Sequence, residues 1–363
     1  MNSKRKCQAN FLVGLVVVFL SFQFVPSSAR SNIEQYKKLT IKMKPYFRTT
    51  VFEEFRKFNL SLLFKINPTT YIFEFVGDNS MDTLQRVLDI YKHQIAQWEA
   101  VRVYDNTIKP DGTVVELQRY FGNMYAPNLV CSNYYGMDIS KAWSRGYTGK
   151  GVTVGITGVG INTDLLDLQQ NIDERLCMNF VNNSKDVTPE YYNNIRAISD
   201  IKSDHDNRIA SIVAATKGNN FCSAGVAYNA TIAALKIFQL KLYQGITLDL
   251  YPGHWTASDI MAKAFVYNIA NIDIFVNAWT TPQTFDKLDL ATSEALQYGA
   301  VSGRKGFGVV YLVPAGPVGN GLSNNNNTIT VNSVGRQGTI QDGAYTDTSV
   351  ITSGLGQGNN LTA

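Results

Sequence analysis

The stretch "KGVTVGITGVGINTDLLDL", residues 150–168, decides the fold. Val152, Val154 and Ile156 alternate and run into Gly158, Val159 and Gly160. That is the layout of a strand delivering its C-terminal end to a site. No carboxylate, hydroxyl, thiol or imidazole stands at 158–160, which raises the question of what the turn holds. Working outward, strand-like runs recur as "ATIAALKIF" (230–238), "IDIFVNAW" (272–279) and "GVVYLVPAG" (308–316). Helix-like segments lie between them: "HDNRIASIVAAT" (205–216), "TASDIMAKAFVYNIA" (256–270) and "DKLDLATSEALQYGA" (286–300). Strands and helices alternating at this spacing imply an α/β fold, a parallel sheet with helices on both faces. Gly158-x-Gly160 is no dinucleotide fingerprint, because Thr163 holds the third glycine position and no helix opens there.

Upstream, the pattern is local and compact. Leu39, Ile41 and Met43 alternate, and a Thr50/Glu53 capping box precedes Val51, Phe52, Phe55 and Phe58 on one helical face. Leu60 to Ile66 and Tyr71 to Phe75 read as strands around an Asn67-Pro68-Thr69 break. Met81, Leu84, Val87, Leu88, Tyr91, Ile95 and Trp98 fall at helical spacing, with "VRVY" (101–104) as a last strand. The order β-α-β-β-α-β describes a small α+β split-βαβ domain, and "TIKPDG" (107–112) reads as its linker to the rest.

The 363 residues, 45% apolar and 12% aromatic, suffice for one large and one small domain. With 33 basic against 29 acidic residues and no run of either sign, nothing points to nucleic acid or a polybasic membrane surface. Lys4, Arg5 and Lys6 precede the apolar run 11–25 and the small residues Ser27-Ser28-Ala29. This predicts a signal peptide over 1–29, a small domain over 30–112, a large domain over 113–363, and a secreted chain. No later segment reaches the roughly 20 apolar residues of a membrane span. Sequons at Asn59, Asn182, Asn229, Asn326 and Asn360 agree with secretion. Cys131, Cys177 and Cys222 remain after the leader, so at least one thiol lacks an intramolecular partner.

His205 opens a stripe with Ile209, Ile212 and Val213, which directs its ring toward the strand ends and makes it a candidate general base. His254 in "YPGHW" has no periodic context and reads as a loop residue; His93 reads as a flank residue of its helix.

"ISKAWSRGYTGKGVTVGITGVGINTDLLDLQQN", "SDHDNR", "GNNFCSAGVAYNATIAALKIF", "NAW" and "GFGVVYLVPAG" occur in one order. In that order and spacing the chain resembles the kexin and furin-like proprotein convertases of the subtilisin-like serine proteases. The upstream segment is similar to their inhibitory prodomain. The resemblance implies an aspartate at the strand-end turn that orients a histidine, a serine nucleophile and an oxyanion-hole amide. Carried over, the aspartate position is Gly158 and the histidine is His205, followed by Asp206 and Asn207 where the family has glycine and threonine. The oxyanion position falls on Pro317, which has no amide hydrogen, or in a shifted alignment on Asn320. The substrate-binding strand reads Ala278-Trp279-Thr280, without the acidic residues that select basic side chains. The chain stops before the nucleophile segment, leaving the expected fold incomplete, and no dibasic processing pair separates the two domains. Cys222 matches a disulfide cysteine whose partner position falls near Ser349. Asp167 and Asn219 are the candidate calcium ligands.

The resemblance thus implies a secreted, catalytically inactive pseudoprotease that binds a peptide or protein ligand, such as an active convertase. One alternative is an active calcium-dependent serine endopeptidase with further sequence, which requires a carboxylate from elsewhere to orient His205. Another is a prodomain-type inhibitor or folding chaperone.

Overall fold

The computed structural model describes residues 37–76, 81–106, 139–190, 205–220, 224–244, 250–281, 284–334, 345 and 347–355. The leader, the linker, Cys131, Cys222 and Asn360 lie outside the described residues.

The small module runs β1 (Lys38–Met43), α1 (Val51–Arg56), β2 (Leu60–Lys65), β3 (Thr70–Phe75), α2 (Met81–Tyr91) and β4 (Ile95–Ala100). Its antiparallel sheet has the order β2-β3-β1-β4. Leu39, Ile41 and Met43 turn inward against Phe55, Phe73 and Val87, as their alternation predicts. Two local expectations change. Thr50 has helical backbone angles and makes no side-chain cap, and Glu53 pairs with Arg56 at 3.1 Å instead. Ile95 and Trp98 do not extend the helix but lie on β4, where Trp98 stands opposite Ile41. Pairing with β1 satisfies a row of backbone groups that a longer helix would leave open at the sheet edge.

The "VRVY" stretch therefore leaves this sheet. As β5 (Val103–Asn106) it pairs antiparallel with a strand of the large domain.

The large domain continues with α3 (Ile139–Ser144), β6 (Thr153–Gly158), β7 (Met178–Asn179), α4 (His205–Ala214), β8 (Thr231–Lys236), β9 (Gln239–Gln244) and β10 (Leu250–Ala257). It then adds α5 (Ser258–Phe265), β11 (Ile274–Asn277), α6 (Leu290–Gly306), β12 (Val310–Pro314), β13 (Thr328–Val334) and β14 (Val350–Leu355). Seven strands form one sheet in the order β14-β13-β12-β11-β6-β8-β7. Every pairing in it is parallel. Both faces are covered: Ile232 and Ala234 of β8 pack with Ile209 and Ala210 of α4. Their neighbours Ala233 and Leu235 pack with Met261 and Phe265 of α5 and Leu296 of α6. Burial on two sides is why these strands read as nearly unbroken apolar runs.

β13 lacks that signature, since Thr328 and Thr330 point inward while Ile329 is exposed. The buried hydroxyls are satisfied by backbone, Thr328 Oγ1 on Leu322 O at 3.0 Å and Thr330 Oγ1 on Ser323 O at 2.7 Å.

Charged contacts join the small module to the large domain. Lys38 pairs with Asp259 at 2.8 Å and Lys42 with Glu294 at 2.6 Å. Glu294 also accepts from Asn67 and Thr70 at 3.0 and 3.1 Å. Asp289 caps α6 through Thr292 N at 2.8 Å and accepts from Tyr104 at 2.9 Å; burial holds its carboxyl above the usual range. Asp259, in the first turn of α5, complements the helix dipole as well as Lys38.

Candidate active site

The parallel sheet brings the end of β6 and the start of α4 together, because α4 packs on β6 and β8. His205 is buried at the first position of that helix. Its Nδ1 lies 2.8 Å from Oδ1 of Asp206, and the two side chains are 3% and 1% exposed. Oδ2 of Asp206 accepts the Gly160 amide at 2.9 Å. A Cβ on Gly158 would lie 2.6 Å from the Asp206 carboxyl carbon and nearer still to both oxygens. The turn that carries no carboxylate of its own is therefore filled by one from the helix. Asn207 ties down the same turn, its Oδ1 accepting the Asn162 amide at 2.8 Å.

In the sequence, Asp206 and Asn207 stand out only as departures from the glycine and threonine that the resemblance places after the histidine. A usable signal was present: an acidic residue adjoins the histidine in the same chain that has lost the acid at the strand end.

His254 is not in a loop. It lies on β10 opposite Leu240 of β9 and Asn106 of β5, edge-on to Phe238 at 6.3 Å. With Val159, Glu190, Lys236 and Leu240 it lines a small cleft next to the turn. Burial pushes the His254 ring down to about 4, and the charge His205 bears when protonated acts in the same direction. Lys236, opposite Gly158 in the sheet register, is buried and pairs with Glu190 at 3.2 Å.

The candidate oxyanion and substrate segments face each other. Pro317 is buried and lacks an amide hydrogen. Asn320 is fully buried, and its amide nitrogen donates to Thr281 O at 3.0 Å and to Thr281 Oγ1. Its Oδ1 accepts from Leu322 N at 2.9 Å and Ser323 N at 3.3 Å. Both hydrogens of that amide are committed to the protein. Ala278, Trp279 and Thr280 are all buried, and the indole nitrogen donates to Thr157 O at 3.1 Å. No acidic side chain stands at 278–281; Pro282 and Gln283 lie outside the described residues.

Asp167 and Asn219 do meet, Asn219 Nδ2 donating to Asp167 Oδ1 at 2.7 Å. A hard cation takes six or more oxygens. Among the described residues no group of three or more His, Cys, Asp or Glu side chains is placed to hold a metal. Cys177 is a buried thiol whose sulfur accepts from Ala234 N at 3.3 Å, and burial raises its pKa.

Residues 149–360 match the family model of peptidase S8, the subtilase family. Furin-like protease 2 of Drosophila melanogaster is 33% identical over 184 residues, covering 50% of this chain and 10% of the relative. Proprotein convertase subtilisin/kexin type 4 of Mus musculus is 29% identical over 248 residues, covering 60% of this chain and 34% of the relative. The chain thus spans between a tenth and a third of the length of these curated relatives. Among solved structures, the epidermin leader peptide processing serine protease of Staphylococcus aureus superposes with a TM-score of 0.53 at 13% identity. That match covers 88% of this chain and 74% of the other, and at this identity it speaks for the fold alone.

Proposed function

The chain belongs to the subtilase family, and on that premise we propose a convertase-like protein of the secretory pathway that holds a peptide or protein segment without efficient hydrolysis. One observation carries this reading: neither candidate oxyanion donor is in a state to act. Position 317 is a proline, and Asn320 spends both amide hydrogens on Thr281. Loss of one such donor costs on the order of a hundred- to a thousandfold in turnover. The ligand is neutral at the selecting side chain, since Pro282 and Gln283 follow the strand where the resemblance expects acidic residues. An active convertase is one candidate partner. The leader-like residues 1–29 and the exposed sequon residues Asn59, Asn182, Asn229 and Asn326 support passage through the secretory pathway. No helix among the described residues is long and apolar enough to cross a membrane.

A second reading, an active serine endopeptidase, is favoured by the carboxylate beside His205. It requires a carboxylate from elsewhere to orient His205, and Asp206 lies 2.8 Å from the ring. The two readings separate on labelling of the secreted chain with a fluorophosphonate serine probe, beside His205→Ala and an active convertase. Binding of a neutral peptide panel without cleavage, and no labelling, is the expected result. Labelling that His205→Ala abolishes overturns it in favour of the endopeptidase.

A further inference from the structure

Gly158 and Asp206 form one unit. The Asp206 carboxylate occupies the volume immediately beyond the Gly158 Cα, where the side chain of any other residue at the end of β6 would lie. Successive residues of a helix point to different sides and do not ordinarily face each other. Asp206 nevertheless reaches the ring of the preceding residue by folding back over the strand end, and that route is open because position 158 has no side chain. Both carboxylate oxygens are engaged there, one by the ring at 2.8 Å and one by the Gly160 amide at 2.9 Å.

We infer that Asp206 is the positioning residue of His205, supplied from the helix in place of the strand, so that loss of an acid at 158 and its gain at 206 are a single exchange. With Asp206 ionised, Nδ1 of His205 carries the ring hydrogen and the basic lone pair lies on Nε2, the tautomer a general base requires. The inference rests on family membership and on geometry; it holds whether or not hydrolysis survives.

The test reads the tautomer directly, by NMR of the full chain with ¹⁵N-labelled histidine. The parent is expected to show His205 as the Nδ1–H tautomer with a downfield, slowly exchanging proton. In Asp206→Asn only one acceptor oxygen remains. The Gly160 N–H can only donate and therefore claims it, which turns the amide NH₂ toward Nδ1 and moves the ring hydrogen to Nε2. A carboxylate that does not set the ring tautomer predicts no such inversion. Gly158→Asp combined with Asp206→Gly is expected to restore Nδ1–H. The inference is overturned if Asp206→Asn keeps the Nδ1–H tautomer, or if the parent lacks it. Should Asp206→Asn not fold, the exchanged pair decides: a folded chain with the Nε2–H tautomer overturns the inference equally. These signals do not depend on binding or turnover, so failure of the proposed function leaves them unchanged.

Discussion

Replacing Gly158 by alanine adds one methyl group to a strand end, and the geometry makes its cost depend on a residue of another element. The new Cβ would sit 2.6 Å from the Asp206 carboxyl carbon, well inside contact distance, so the carboxylate must move. Moving it breaks the bonds to His205 and Gly160, each of the charge-assisted kind worth about 1.5–3 kcal/mol. The expected loss is thus about 3 kcal/mol or more, a large share of the roughly 5–15 kcal/mol that holds a domain folded. Gly158 has no left-handed backbone angle, so alanine itself is conformationally acceptable there. In an Asp206→Ala background the same change should cost under about 1 kcal/mol or stabilise slightly, by reducing the freedom of the unfolded chain. A double-mutant cycle from urea unfolding, followed by tryptophan fluorescence and far-ultraviolet circular dichroism, should return a coupling of about 2 kcal/mol or more between the two sites. Equal costs of Gly158→Ala in both backgrounds would refute the reasoning.

Two further outcomes follow from the same region. Asn320→Ala should destabilise the chain by roughly 2–4 kcal/mol in the same unfolding assay, because it removes a fully buried amide with donors and acceptors engaged. An unchanged midpoint would instead return Asn320 to the role of an oxyanion donor. His254 titrates near 4 in the folded chain, below the ordinary value of 6.5. The unfolded chain therefore binds more protons between those values, and the contribution of His254 is complete above about pH 6.5 and lost as pH falls through about 4. It amounts to at most about 3 kcal/mol. The difference in stability between the parent and His254→Gln should shrink across that window; a constant difference would place the ring in a wetter site than β10 gives it.

Much of the fold was legible because its signals are local. Ile232 to Leu235 and Phe275 to Val276 are apolar on both sides of the backbone, and only a parallel sheet with helices on two faces buries them all. His205 was legible for the same reason, since the stripe it opens fixes which way it points. Where local and tertiary demands competed, the sequence alone misled. Ile95 and Trp98 keep helical spacing yet pair with β1, whose backbone needs a partner. β13 buries threonines, which is acceptable only because Leu322 and Ser323 present carbonyls to them. His254 gains its strand from β5 and β9, on either side of it. Sequence by itself determined that the turn at Gly158 has no acid and that an acid follows His205. Only the tertiary structure decided that these two facts meet, because Asp206 lies 46 residues from the Gly160 amide it accepts, and no periodicity spans that distance. The packing of α4 on β6 brings the carboxylate to the empty place.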